Sequence, residues 1–344
     1  MLKVVDVLKR DDFRNELVSA IRPYLSGYCL PVEIPLLYKY SGFSKYAVDN
    51  IVDEGVSLSL IGTFNDCYDS TISFGDIKQR AAEEYEKDCK ICKAAGCKPC
   101  LTLDDWYEHI VTEQEAYRGF SNDSHCCCFS ESANSTLMWS HYANNNRGIC
   151  VAYNFELIKE HSFYYSLFPV AYTDIPIDVY DFVHENKGTF SVELGVVASA
   201  LNKAECWAYE REWRLLVLNE RLARGKVDTY LTFKNVIAPQ SVILGQHFLD
   251  NFIPALNRGG ERGAAEALEN LKRLSDYQKS KNIPIYRLTA TLNAFGQQQL
   301  DPVDLNALIK FIEEQVMLDE LTPQNRNYLY LSYNEEINGS PTST

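Results

Sequence analysis

The chain has 344 residues, 46% hydrophobic and 12% aromatic, enough for one large domain or two ordinary ones to bury a sizeable core, which excludes general disorder. Its 33 Lys and Arg stand against 47 Asp and Glu, a net charge of −14 that repels phosphate backbones and disfavours broad nucleic-acid binding. The opening MLKVVDVLKRDDFRNELVSAI breaks every apolar run with a charge, and no stretch reaches the roughly 18 to 20 apolar residues of a membrane helix, so a cytoplasmic protein without a membrane segment is expected. Eleven cysteines in so long a chain without an export signal point to metal binding or burial, not to disulfides.

Helical spacing of Phe13, Leu17, Ala20, Ile21 and Leu25 predicts an N-terminal helix. A buried strand follows at Ile34 to Tyr40, a helix from Lys45 to Glu54 closed by Gly55, and a second strand in the alternating VSLSLIG. From Ile77 to Tyr117 the sequence is charged and helix-prone, with a cysteine cluster inside it, and reads as an insertion. CCCFS is a strand, Leu137 to Ala143 a helix, and GICVAYNF a strand. The Ala-rich Leu194 to Trp207 is helical, EWRLLVLN and SVILG are strands, and a helix from Gly259 to Lys281 precedes the strand IPIYRLTATL. Asp304 caps a last helix, Leu305 to Met317, before a polar tail. The expected organisation is an α+β protein: residues 1–34 a helical extension, 35–303 a catalytic-type domain with the insertion at 77–120, and 304–344 a helix and tail.

Polar and aromatic groups interrupt otherwise buried elements in LYKY (Leu37 to Tyr40), FSESANSTLMWSHYANNNRGICVAY (Phe129 to Tyr153) and KAECWAYEREWRLL (Lys203 to Leu216), and the turn FNDCYD (Phe64 to Asp69) and a later ILG strand accompany them. In chain order these motifs resemble the bacterial family called domain of unknown function 2971, from about Pro35 to Val303. The entry LYKYSGFSKYAVDNIVDEGVSLSL, with Ser130 in CFS and Glu210-x-Glu212 later, also resembles the split-sheet fold of ADP-ribosyltransferases. That likeness implies NAD as substrate, Glu212 and Glu210 as catalytic carboxylates, and Lys39, Tyr40, Ser130, Trp139, Tyr142 and Arg214 as cofactor contacts. Lys39 stands where such enzymes carry His or Arg. The biological setting it implies is a bacterial toxin or phage-defence effector, with a macromolecular acceptor or a phage protein as partner.

Cleaving a nicotinamide glycosidic bond passes through an oxocarbenium-like sugar, which a carboxylate stabilises while it accepts from a ribose hydroxyl. On a regular strand both carboxylates of E-x-E share a face with Arg214, and two so close raise one another's pKa. The plainer reading is a Glu212–Arg214 salt bridge with Trp213 and Leu215 in the core. Likewise Trp139 and Tyr142 are either core packing or a stacking platform, Lys39 either an exposed strand lysine or a cofactor contact, and Asp66 either an Asx turn or part of a cleft. His141 is either an acid or base or a satisfied surface or core histidine near a helix end, and Asn144 to Asn146 with Gly148 read as the stop that follows.

Cys89, Cys92, Cys97 and Cys100 form two C-x2-C knuckles, the pattern of a structural zinc site, although their four-residue connector is shorter than usual. Cys126, Cys127 and Cys128 are expected to pack as small apolar residues. Two other functions fit the same residues: a non-catalytic module sensing a nucleotide or protein, and a metal-dependent nuclease using Asp66, Asp69, Glu210 and Glu212.

Overall fold

The computed structural model describes residues 15, 17–19, 30, 31, 33–64, 66, 68–185, 191–218, 228–254, 256–290 and 298–316. Most of the expected N-terminal helix, Asn65 and the polar tail lie outside them. The chain divides into two compact units, each assembled from separated stretches: Met1–Val32, Leu58–Cys128 and Lys159–Leu231 in the first, and Glu33–Ser57, Phe129–Ile158 and Thr232–Thr344 in the second. Helices and a mixed set of strands occur throughout, so the α+β class holds. No helix among the described residues is long and apolar enough to cross a membrane.

In the first unit the cysteine-bearing insertion is a pair of packed helices, Ile77–Ala95 and Leu103–Asn122. Asp76 caps the first through the amides of Lys78 and Gln79, and Gly96 ends it with φ of 72°, where a side chain would be strained. Thr102 and Asp105 form a reciprocal capping box that starts the second. Their apolar faces join a core of Phe74, Ile110, Tyr117, Val179, Tyr180, Val196 and Leu201. Arg80 ties the pair to the Val179–Glu185 helix by bonding Asp178 and Asp181 at 2.6 Å each.

Beside that core, the His125–Ser130 strand pairs antiparallel with Val56–Leu60, Ser59 facing Cys126, and also pairs with Glu212–Val217. Leu167–Pro169 runs antiparallel to Glu212–Val217, with Phe168 opposite Arg214. The helix expected at Leu194 to Trp207 is shorter than its alanines suggest. It covers Ser191–Ala200 and gives way to a strand, Asn202–Ala204, then to a 3-10 segment, Glu205–Glu210. Tertiary bonds override propensity there: Asn202 Oδ1 accepts from the Ile177 amide at 3.1 Å, and Asn202–Ala204 lies parallel to Ala171–Thr173.

The second unit is built on a mixed sheet in the order Gln298–Pro302, Ile285–Ala290, Pro239–Leu244, Ile149–Tyr153 and Leu37–Ser41, with Ser130 facing Tyr38 at the next position. Only the Pro239–Leu244 and Ile285–Ala290 pairing is parallel within this run. All five residues of the central Ile149–Tyr153 strand are buried, so its continuous apolar composition reflects cover on both faces. Helix Gly260–Lys281 buries Leu268, Leu271 and Leu274 and packs on helix Lys45–Val52, which Ser44 caps through the Ala47 amide. Asp304 caps helix Leu305–Phe311, as its sequence position suggests.

A buried carboxylate and cation cluster as candidate functional site

Glu210 ends the 3-10 segment and Glu212 opens the next strand, so the E-x-E motif is not a regular strand. Arg211 between them adopts φ of 45° and ψ of 54°, a left-handed conformation unusual for a residue with a Cβ. This turn brings both carboxylates to one ammonium: Lys203 Nζ lies 2.5 Å from Glu210 and 2.9 Å from Glu212. Asp69 is the third acid, 3.5 Å from the same nitrogen.

Arg214 fills every donor of its guanidinium. Nε and Nη2 reach Glu212 at 2.8 and 3.1 Å, Nη1 and Nη2 clamp Asp69 at 2.7 and 2.6 Å, and Nη1 also donates to the Ala200 carbonyl at 2.6 Å and to Ser70 at 3.0 Å. The Tyr172 hydroxyl accepts from the Glu212 amide at 2.8 Å, and the Cys128 thiol donates to its carboxylate. Aromatic faces close the set: Phe64 lies 5.3 Å from the Arg214 guanidinium carbon and Trp207 lies 5.2 Å from Lys203 Nζ.

All five charged side chains are 1–6% exposed. Among the described residues, three carboxylates therefore share two cations in the interior of the first unit. Burial alone would raise the Glu212 carboxyl, but the charges of Arg214 and Lys203 outweigh it and hold the group at about 2. At Glu212 the elevation expected of a neighbouring carboxylate is outweighed by these two cations. Burial would likewise lower the Lys203 ammonium, yet Glu212 and Glu210 push it above its ordinary value.

The expected NAD contacts other than Arg214 belong to the second unit. Lys39 is half-buried on its strand, opposite Val151. Tyr40 donates to the Ser132 carbonyl at 2.8 Å and meets Trp139 edge-on at 5.2 Å. Trp139 is fully buried with its indole N–H on the Ala133 carbonyl at 2.8 Å, which makes it core packing and not an open stacking face. Tyr142 is half-buried, Ser130 is buried, and His141 is exposed at the helix end. Asn144, Asn145 and Asn146 all have positive φ, the expected stop.

Asp66 makes the Asx turn, accepting from the Tyr68 amide at 2.9 Å. Lys203 opens the KAECWAYEREWRLL segment, but the sequence reads it as part of an Ala-rich helix and assigns it no site role. Its signal was a lone lysine followed at +7, +9 and +11 by Glu, Glu and Arg. The sequence groups Asp69 with Glu210 and Glu212 only as a metal-binding acid of the nuclease alternative, and its pairing with Arg214 comes from the fold.

Among the described residues no three His, Cys, Asp or Glu side chains are placed to hold a metal ion. Of the four insertion cysteines, Cys92 donates to Asp88, Cys97 donates to the Cys92 carbonyl at 3.5 Å, and Cys97 and Cys100 are exposed. Of the acids in the nuclease reading, Asp69, Glu210 and Glu212 pair with Lys203 or Arg214, while Asp66 makes its own turn. Residues 138–215, which contain Trp139, the Ile149–Tyr153 strand and four of the five charged cluster residues, match the family described as Protein of unknown function (DUF2971). No curated protein and no solved structure matches the chain.

Proposed function

We propose that this chain, which belongs through residues 138–215 to the DUF2971 family, is an NAD-consuming, ADP-ribosyltransferase-like enzyme with Glu212 and Glu210 at its acidic centre. The observation that carries the reading is the excess negative charge of the Asp69, Lys203, Glu210, Glu212 and Arg214 cluster. A buried site with one surplus carboxylate complements a cation, and the reacting end of NAD is a cationic nicotinamide attached to a sugar that gains positive charge as the bond breaks.

The C1′–N bond breaks with its electron pair leaving on nicotinamide. The acceptor's lone pair then forms the new bond to C1′, and the acceptor gives up its proton. Glu212 suits the electrostatic part of this step because a carboxyl held at about 2 is an anion at every physiological pH. It is correspondingly a poor proton acceptor, which leaves Glu210 as the carboxylate that orients the acceptor.

A second reading rests on the burial of the same groups. With Glu212 4% exposed and both its oxygens committed to Arg214 and Lys203, the cluster also suits the keystone of a non-catalytic recognition module. Incubation with NAD separates the two. Nicotinamide release that disappears in a folded Glu212→Gln variant supports the transferase. An absence of release from the intact protein, under conditions where it is folded and presented with cell lysate as acceptor, overturns that reading and leaves the second.

A further inference from the structure

The Ile77–Ala95 helix ends in a turn that is anchored at both sides by a cysteine. The Gly96 amide donates to the Lys93 carbonyl at 3.3 Å, and the Cys97 amide reaches back to the Cys92 carbonyl at 2.9 Å. This bond pattern sets a residue of the last helical turn against the second residue beyond the end, a contact that two apolar side chains ordinarily make. Here two thiols stand in those places.

At standard backbone bond lengths the bond from the Cys97 amide keeps the two α-carbons within about 6.8 Å of each other, a separation that a disulfide spans. The side chains converge as well. Cys97 Sγ donates to the Cys92 carbonyl oxygen at 3.5 Å, and of all its neighbours the Cys97 thiol acts most strongly on the Cys92 thiol. Cys89 instead meets the Tyr85 hydroxyl one turn back in the helix. We propose that Cys92 and Cys97 are a reversible oxidation site, closing to a disulfide across the turn when the chain meets a hydroperoxide.

Cys97 is exposed and Cys92 buried, so the peroxide reaches Cys97 first. The Cys97 sulfur attacks the terminal peroxide oxygen, the O–O bond breaks, and the thiol proton passes to the departing alcohol or water, leaving a sulfenic acid. The Cys92 sulfur then attacks the Cys97 sulfur, the S–O bond breaks, and the Cys92 proton leaves with the hydroxyl as water. Two electrons thus pass from the thiol pair to the peroxide. Contact with Cys97 pushes the Cys92 thiol up to about 12, which suits it to the second step, where proximity replaces intrinsic reactivity. The site does not depend on the transferase reading.

The test treats the reduced full-length chain, in chelator, with hydrogen peroxide, alkylates the remaining thiols and maps the cysteine pairing by peptide fragmentation without reduction. A Cys92–Cys97 link is expected in roughly tenfold excess over any other pairing, reversed by dithiothreitol and retained in a variant with Ser at Cys89 and Cys100. In urea, where the turn is lost, the link should fall to the level of Cys89–Cys92 and Cys97–Cys100, whose members are closer in sequence. In Cys92→Ser, Cys97 should remain a sulfenic acid that dimedone labels. A different dominant pairing in the folded wild type, no intramolecular link at all, or equal abundance in folded and unfolded chain overturns the proposal. The wild-type map decides the matter should either variant fail to fold.

Discussion

Arg214 holds Asp69 and Glu212 at once, and both acids are buried. Replacing it with Leu would leave three carboxylates facing Lys203 alone, and a stability loss of about 3–5 kcal/mol is expected in urea unfolding. Glu212 gives the complementary prediction in pH. Its carboxyl is depressed from 4.5 to about 2, so the unfolded chain binds this proton more readily than the folded one. The stability it supplies is complete above pH 4.5 and is lost as pH falls toward 2. That difference corresponds to something on the order of 3 kcal/mol. In Glu212→Gln this part of the acid dependence should vanish, so urea midpoints measured on either side of that window should converge relative to wild type. An unchanged acid slope would mean that Glu212 is not held down by its neighbours.

At the level of the element, two turns place the functional and structural groups. Arg211 sits in the left-handed region at a cost of roughly 1 kcal/mol for a residue with a Cβ. Because its side chain is exposed, Arg211→Gly is expected to raise stability slightly or leave it unchanged, whereas Arg211→Val should lower it and disturb the Lys203 contacts; denaturant midpoints of the two variants read this directly. In the second unit, Gly148 enters the central strand where an added Cβ would lie 2.0 Å from the Ser41 carbonyl oxygen. Gly148→Ala must therefore push that strand from its partner, at about 1–3 kcal/mol in thermal or urea unfolding.

These elements also show where sequence reading succeeds. Helices with their own caps, such as Lys45–Val52 behind Ser44 and Leu305–Phe311 behind Asp304, announce themselves locally. Strands with internal apolar patterns, such as Val56–Leu60 and Ile149–Tyr153, do so too. The three-residue strand Asn202–Ala204 does not, because only its partner Ala171–Thr173 defines it. The same difference applies within the site. Glu210, Glu212 and Arg214 share one short motif and were legible, while Lys203 and Asp69 acquire their meaning only when distant stretches bring their charges to those acids.

Across the whole molecule, the net charge of −14 makes a prediction that the local cluster does not. NAD carries a diphosphate, so its approach to an acidic protein is opposed at long range even if its nicotinamide end is attracted at short range. At about 0.01 M salt the screening length is about 30 Å and the repulsion extends well beyond the surface; at 0.15 M it is about 8 Å. If nicotinamide release is this chain's reaction, its kcat/KM is expected to rise as salt is added over that interval, with most of the change in KM, because encounter is what screening eases. A kcat/KM that falls with salt would instead require a positively charged approach to the site that outweighs the chain's overall charge, and steady-state rates at several ionic strengths distinguish the two.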